Sequence, residues 1–271
     1  MHNLRTFKKM KTSGEKIVMV TAYDYPSGKY VQEGGADIIL VGDTLGMVVL
    51  GYETTLNVTV DDIIHHSKAV RRGANDTFIV ADMPYMSFHV NVEETKRNAA
   101  RMIIEAGANA VKLEGGKPSR IEAIKALVDC EIPVVGHLGL TPQSINSFGG
   151  YVVQGKKSVD FDEIIRQAEL VQEAGAFMLV LEGIPEKLGK DISSTLTIPT
   201  IGIGAGRFTD GQVLVYHDIL GMADLKPKFV KYYAALGRDI PSYIKAYSKD
   251  VKSGMFPERE HIYVPLEDNQ E

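Results

Sequence analysis

Eight short apolar runs punctuate the chain, and most carry little of the polar alternation that a half-exposed strand shows. This pattern is typical of strands buried on both faces of a parallel sheet. The runs lie at 16–23, 36–43, 78–83, 110–114, 133–138, 177–182, 199–204 and 212–216. Between them, apolar positions recur at helical spacing in 60–73, 92–106 and 161–174, so we predict helices there.

One sequence pattern occurs three times along the chain. It reads Q-E-G-G-A-D-I-I-L-V at 32–41, I-E-A-G-A-N-A-V-K-L-E at 104–114 and Q-E-A-G-A-F-M-L-V-L-E at 172–182. Gly34, Gly107 and Gly175 suit the left-handed position that ends a helix, and an apolar run follows each of them. Each copy therefore predicts a helix that leads into a parallel strand.

Strands that alternate with helices predict an α/β protein, and eight of them favour a (β/α)8 barrel of the TIM type. A doubly wound open sheet is the second interpretation. The segments P-K-F-V-K-Y-Y-A-A-L-G and P-S-Y-I-K-A-Y-S-K-D-V are amphipathic and follow the eighth run. We expect one domain over residues 1–271, with 224–271 as a C-terminal helical extension that packs on the barrel or on a second subunit.

Composition narrows the class of protein. With 271 residues and 44% hydrophobic positions the chain can bury one large core, and its net charge of −5 gives no reason to expect nucleic acid as a partner. No apolar run approaches the roughly 20 residues that span a bilayer, and the N-terminus shows no secretory signal. The single cysteine, Cys130, excludes an internal disulfide framework and a cysteine-based zinc cluster. These features favour a cytoplasmic enzyme without a membrane partner.

Ionisable residues stand at or near the ends of four of the apolar runs. They are Asp43, Asp82, Lys112, Glu114 and Glu182. In a barrel these positions meet at the C-terminal rim, where active sites of this fold lie. Several carboxylates close together repel each other, and a hard cation such as Mg²⁺ would relieve that repulsion. The alternative is that the acids cap helices or form a buried ion pair with Lys112.

Two further features of the apolar runs have both a functional and a structural interpretation. His137 ends the fifth run, and we expect it to contact substrate rather than to make a structural hydrogen bond only. The segment I-G-I-G-A-G at 201–206 resembles a phosphate-binding loop. No lysine follows it in a P-loop arrangement, so close backbone packing is the favoured interpretation.

Six segments carry a resemblance to one enzyme family. They are V-G-D-T-L-G-M-V-V-L-G-Y-E-T-T-L-N-V-T-V-D-D (41–62), A-D-M-P-Y-M-S-F (81–88), V-K-L-E-G-G (111–116), G-H-L-G-L-T-P-Q-S (136–144), L-E-G-I-P (181–185) and I-G-I-G-A-G (201–206). In this order, through nearly the whole chain, they resemble the ketopantoate hydroxymethyltransferases. Thr44 stands where that family usually has Ser, and Asn57 where Pro is common. Both departures are mild, because Thr keeps the hydroxyl and Asn57 lies in a predicted loop.

The resemblance implies a Mg²⁺-dependent transferase of pantothenate biosynthesis. Such an enzyme transfers a hydroxymethyl group from 5,10-methylenetetrahydrofolate to 3-methyl-2-oxobutanoate, giving 2-dehydropantoate. The partners implied are therefore a small 2-oxo acid and a folate, and the implied assembly is a homo-oligomer, a decamer built from dimers. The family is also similar to the phosphoenolpyruvate/pyruvate barrel enzymes, which handle 2-oxo acids on a metal.

Carried over by motif, the resemblance implies a role for each candidate residue. Asp43 and Asp82 would hold Mg²⁺ and through it the substrate, and Glu114 would join through the metal or a bound water. Thr44 and Lys112 would contact the oxo acid, and Glu182 would be the base that generates an enolate. A Schiff base on Lys112 is disfavoured, because the neighbouring Glu114 keeps the ammonium charged.

Two rival functions remain open at the level of sequence. A metal-dependent 2-oxo acid lyase of the same barrel group would use similar acids, but it usually brings a cysteine into its active site. Cys130 precedes the fifth run and is expected at the opposite rim. A binding or assembly protein without enzymatic activity is the second rival, and it has no reason to align acids at successive strand ends.

Overall fold

The computed structural model describes residues 2–150, 152–155, 158–223 and 227–264. Eight parallel strands close into a barrel in chain order, and helices alternate with them, which confirms the predicted TIM-type barrel. The strands are β1 Ile17–Thr21, β2 Ile38–Val41, β3 Phe78–Asp82, β4 Ala110–Glu114, β5 Val134–Gly139, β6 Met178–Glu182, β7 Thr200–Ile203 and β8 Gly211–Leu214.

The helices are mostly those that the apolar spacing predicts, with small shifts at their ends. The predicted helix 60–73 has the same bounds in the structure, whereas 92–106 ends earlier and 161–174 begins earlier. The α-helices are α1 Leu4–Ser13, α2 Tyr25–Glu33, α3 Leu45–Val48, α4 Val60–Gly73, α5 Val92–Ile104, α6 Pro118–Asp129, α7 Ile145–Phe148, α8 Ser158–Glu173, α9 Glu186–Thr195, α10 Tyr216–Ile219 and α11 Leu236–Ser253. Short 3-10 turns lie at Thr55–Asn57, Pro142–Ser144 and Arg259–His261.

The glycines that end the three repeated helices differ in one respect from the prediction. Gly107 and Gly175 have φ of 73° and 97°, in the left-handed region, as expected. The prediction for Gly34 is wrong: its φ is −71°, and Gly35 takes the left-handed conformation with φ 79°. The reason is that the Gly34 N–H still donates to the Tyr30 carbonyl, so the last helical turn extends over Gly34.

Helix α1, which was not among the predicted helices, closes the N-terminal end of the barrel. Asn3 caps it by accepting hydrogen bonds from the backbone N–H groups of its first turn. Phe7 is fully buried, and its ring centroid lies 5.1 Å from that of Phe78 at the start of β3. The Lys11 ammonium lies 2.7 Å from the Asp210 carboxylate, just before β8. Burying one such phenylalanine contributes about 1.5–3 kcal/mol, which helps to hold this end shut.

Strand β4 shows how the barrel sorts its side chains. Val111 and Leu113 belong to the apolar cluster between the strands and the surrounding helices. Ala110 packs inside the barrel, and Lys112 and Glu114 line a pocket there. Alternate residues of a strand point to opposite faces, so the predicted separation of Lys112 and Glu114 from their apolar neighbours is confirmed.

The chain divides into two compact units, residues 1–216 with 227–230 and residues 217–226 with 231–271. Within the second unit, none of the described residues 217–223 and 231–264 is buried. Helix α11 covers the second predicted amphipathic segment, and most of the first lies outside any helix. The predicted start of the extension at Asp224 lies outside the described residues. No described helix has the length and apolar character that a membrane span requires.

Candidate active site

One pocket inside the barrel, at the carboxyl ends of the strands, brings all seven predicted site residues together. It encloses roughly 410 Å³, part of which is open to solvent. The predicted residues that line it are Asp43, Thr44, Asp82, Lys112, Glu114, His137 and Glu182. Strand ends carry most of them, because parallel strands of a barrel all finish at the same rim. Their individual roles remain predictions.

Asp82 and Lys112 form a buried ion pair across neighbouring strands. The two residues are register partners between β3 and β4, and the Lys112 Nζ lies 3.0 Å from Asp82 Oδ1. The other carboxylate oxygen of Asp82 accepts a 3.0 Å hydrogen bond from the backbone N–H of Asp43. A Cβ at Gly42 would lie 3.3 Å from the same oxygen, so a glycine there leaves room for the carboxylate. Asp82 is therefore held in one orientation.

Burial and neighbouring charges shift the pKa values of Asp43, Asp82 and Lys112. Burial raises the pKa of Asp43 well above its usual range, and the Asp82 and Glu114 carboxylates add to the rise. Burial also raises the pKa of Asp82, although Lys112 opposes it. Burial alone would lower the pKa of Lys112, but the three surrounding carboxylates raise it above its usual value. Lys112 is thus a charged ammonium, as the argument against a Schiff base expects.

His137 lies between two glutamates. Its Nδ1 is 3.4 Å from Glu114 Oε1, and its Nε2 is 3.3 Å from Glu182 Oε2, the latter without the alignment of a hydrogen bond. Burial and Lys112 lower the pKa of His137, but Glu114 and Glu182 raise it more, to about 9. The Lys112 Nζ lies 3.2 Å from Nδ1, and because an ammonium group can only donate, this hydrogen bond requires Nδ1 to act as the acceptor.

The sequence alone does not single out Gln143, which the structure places among the acids. Its side chain is buried within the Pro142–Ser144 turn that follows β5. The backbone N–H donates to Glu114 Oε2 at 3.0 Å, and the side-chain Nε2 donates to Asp43 Oδ2 at 2.8 Å and to the Met83 carbonyl at 2.9 Å. Gln143 belongs to the motif T-P-Q-S, but the burial of a loop glutamine produces no periodic pattern in the sequence from which it could be predicted.

The ionisable side chains fit a divalent cation that takes few protein ligands. Among the described residues, no group of three or more His, Cys, Asp or Glu side chains is arranged to hold a metal ion. Mg²⁺, however, commonly takes one or two protein carboxylates and completes its shell with water and substrate. The pocket holds four carboxyl groups beside only two basic side chains, Lys112 and His137, and a bound cation would offset this excess of acids. Asp43 and Asp82 supply hard oxygens for such an ion.

The glycines of the segment 201–206 serve close packing. A Cβ at Gly202 would lie 2.7 Å from Thr209 Oγ1, and one at Gly206 would lie 2.5 Å from the Glu186 side chain. At Gly204 it would lie 2.8 Å from the ring of Phe229. The space beside each glycine is therefore filled by the protein itself, in agreement with the packing interpretation.

Cys130 lies where the sequence predicted it. It is exposed and follows α6, before β5, at the end of the barrel opposite the pocket. A thiol at this position does not take part in chemistry at the pocket.

Several solved structures share this fold. A phosphonopyruvate hydrolase, solved in complex with oxalate and Mg²⁺, superposes with a TM-score of 0.64 over 99% of this chain and 93% of its own, at 11% identity. A 2,3-dimethylmalate lyase of the PEP mutase/isocitrate lyase superfamily gives 0.62 over 96% of this chain and 91% of its own, at 15% identity. At such low identity the likeness establishes the barrel fold alone.

Sequence relatives are much closer. A 3-methyl-2-oxobutanoate hydroxymethyltransferase of Clostridium botulinum is 52% identical over 263 residues, covering 97% of this chain and 95% of the relative. One of Clostridium acetobutylicum is 54% identical over 259 residues, covering 95% and 94%. The family model of ketopantoate hydroxymethyltransferase matches residues 1–259. The chain therefore belongs to the ketopantoate hydroxymethyltransferase family and is an enzyme of the transferase class.

Proposed function

We propose that this enzyme transfers a hydroxymethyl group from 5,10-methylenetetrahydrofolate to 3-methyl-2-oxobutanoate, giving 2-dehydropantoate for pantothenate biosynthesis in the cytoplasm. The observation that carries the proposal is the cluster of buried Asp43, Asp82 and Lys112 with the partly exposed Glu182, in one pocket of a chain of this family. Its residue types match the chemistry that enolisation of a 2-oxo acid requires.

Asp43 and Asp82 would hold Mg²⁺ by their carboxylate oxygens. Glu114, whose two carboxylate oxygens are contacted by Gln143 and His137, would join through the metal or through a bound water molecule. When bound, Mg²⁺ would polarise the carbonyl group of the oxo acid and acidify its C3 hydrogen. Thr44 and His137 would contact the substrate from the pocket wall.

Glu182 would act as the base. Its side chain is 18% exposed, so it lines the pocket while keeping some access to the reacting atoms. The carboxylate takes the C3 proton, and the electron pair left behind forms an enolate. The Lys112 ammonium would stabilise the negative charge that develops on the enolate oxygen. No covalent bond to the protein forms in this scheme.

The enolate carbon then forms a bond to the one-carbon unit, and the bonds that joined this unit to the two folate nitrogens break. The proton taken by Glu182 and one proton of the attacking water end on those nitrogens. One water molecule supplies the oxygen of the new hydroxyl group, so that tetrahydrofolate and 2-dehydropantoate are the products. The 2-oxo acid lyase alternative cleaves a carbon–carbon bond instead. It is disfavoured here because Cys130, the only cysteine, lies at the opposite end of the barrel.

Hydrogen exchange tests the proposal. The enzyme is incubated with 3-methyl-2-oxobutanoate in heavy water, with and without Mg²⁺, and the C3 proton is followed by NMR. We expect exchange only with the metal, and formation of the hydroxymethylated product once 5,10-methylenetetrahydrofolate is added. Absence of both exchange and product in the presence of Mg²⁺ would reject the proposal.

A further inference from the structure

Gln143 is one buried residue that is hydrogen-bonded to groups at the ends of three strands. Its Nε2 donates to Asp43 Oδ2 after β2 and to the Met83 carbonyl after β3, while its backbone N–H donates to Glu114 at the end of β4. Gln143 itself follows β5. We propose that Gln143 is a positioning residue that fixes the Asp43 carboxylate for metal binding. This inference rests on the proposed function, in which Asp43 is a metal ligand.

The contacts determine which way the amide points. Asp43 Oδ2 and the Met83 carbonyl oxygen are both acceptors here, so the group that faces them must be the NH₂ of Gln143. A rotation by 180° would bring Oε1 against these two oxygens and would lose both hydrogen bonds. In the present orientation, Oε1 is buried without a hydrogen-bond partner among the described residues. The amide is therefore a fixed donor rather than a freely rotating group.

A fixed donor matters because Asp43 lies in a repulsive field. Asp43, Asp82 and Glu114 line the same pocket, so their carboxylates repel one another, and the Gln143 Nε2 donates to Asp43 Oδ2 at 2.8 Å. Without that hydrogen bond the Asp43 carboxylate would be free to rotate away from its negative neighbours. The bond therefore holds the Asp43 carboxylate in one orientation, and its remaining lone pairs stay available to an ion.

The side chain of Gln143 contacts Asp43, whereas its backbone contacts Glu114. A substitution can therefore remove the first contact without the second. Any residue except proline at this position keeps the backbone N–H that donates to Glu114. A change of side chain therefore removes the contact to Asp43 while leaving the one to Glu114. Outer-shell groups of this kind typically contribute roughly 10- to 100-fold to metal affinity or activity.

The test is calorimetric titration of Gln143→Met with Mg²⁺ in the absence of substrate. Methionine keeps the length and bulk of glutamine without a donor, and we expect Mg²⁺ affinity to fall roughly 10- to 100-fold. Turnover should recover when the Mg²⁺ concentration is raised, because the catalytic groups remain. A second variant, Gln143→Asn, keeps an amide on a shorter side chain that does not reach both acceptors, and we expect its affinity to fall as well.

Gln172→Met is the matched control. Gln172 Oε1 accepts hydrogen bonds from the backbone N–H groups of Thr197 at 2.6 Å and Ile198 at 3.2 Å, before β7 at the opposite end of the barrel. Its loss should lower thermal stability and leave Mg²⁺ affinity at the wild-type value. If folded Gln143→Met also binds Mg²⁺ like the wild type, the inference fails while the proposed function stands. If the wild-type enzyme binds no Mg²⁺, the proposed function itself fails.

Discussion

Glu182→Gln removes the basicity of one side chain while preserving its size. Glutamine has the same number of side-chain heavy atoms as glutamate, so the pocket volume and the 3.3 Å approach to His137 Nε2 should be kept. We expect this variant to bind Mg²⁺ and 3-methyl-2-oxobutanoate nearly normally. It should exchange the C3 hydrogen of the substrate for deuterium far more slowly than the wild type.

The size of the loss depends on which other group could replace the base. His137 is the neighbouring candidate, and Glu114 and Glu182 raise its pKa to about 9, which disfavours the neutral ring that could accept a proton. Glu182 helps to raise that pKa, and its removal makes His137 more often neutral and a better substitute. A positioned base contributes about two to four orders of magnitude in rate, and we expect a loss near the lower end, about 100-fold or ~3 kcal/mol.

The assay is NMR of the substrate in heavy water with saturating Mg²⁺ and no folate, which isolates enolisation from carbon transfer. Glu186→Gln is a suitable control, because Glu186 interacts with Arg207 at the protein surface. This variant should catalyse exchange of the substrate hydrogen at the wild-type rate. Wild-type exchange by Glu182→Gln, with Mg²⁺ binding intact, would refute the assignment of the base. His137 would then be the next residue to replace.

Other predictions concern the metal, the cysteine and the assembly. Asp43→Ala and Asp82→Ala should each lose Mg²⁺ binding in calorimetric titration while circular dichroism shows a folded barrel; unchanged affinity in both would make these acids structural. Cys130→Ser should keep nearly full turnover, because the thiol lies away from the pocket, and inactivation with the fold intact would revive the lyase alternative. Light scattering should detect a homo-oligomer, a decamer by family resemblance, since Tyr243 and Ile244 of α11 are 66% and 62% exposed; a monomeric mass at micromolar concentration would reject this.

The barrel was predictable because its signal is repeated. Strands β2 to β7 are buried along nearly their whole length and therefore appear as largely apolar runs. Strands β1 and β8 each expose one residue, but their apolar positions complete the set of eight that constrains the topology. The same logic located the pocket, since Asp82 and Glu114 end their strands and parallel strands end at one rim. The alternation of Lys112 with Val111 and Leu113 followed from the two-residue period of a strand.

Other features depend on contacts between distant parts of the chain and leave no periodic trace. Gln143 is set by hydrogen bonds to residues 29 and 100 positions away. Gly34 and Gly35 are adjacent, and the sequence does not show which of them takes the left-handed conformation. That depends on how far the last helical turn extends, and it extends over Gly34. The raised pKa of His137 depends on two glutamates that approach it only in the folded barrel.

Phe7 and Met10 of α1 are buried and close the N-terminal end of the barrel. This closure affects the order in which the substrates bind. A molecule that reaches Lys112 enters from the carboxyl ends of the strands, and both substrates of the proposed reaction share that route. In the proposed reaction the small oxo acid binds against Lys112, so it has to arrive before the larger folate covers it. We therefore expect sequential kinetics with a compulsory order, in which tetrahydrofolate leaves first and 2-dehydropantoate last.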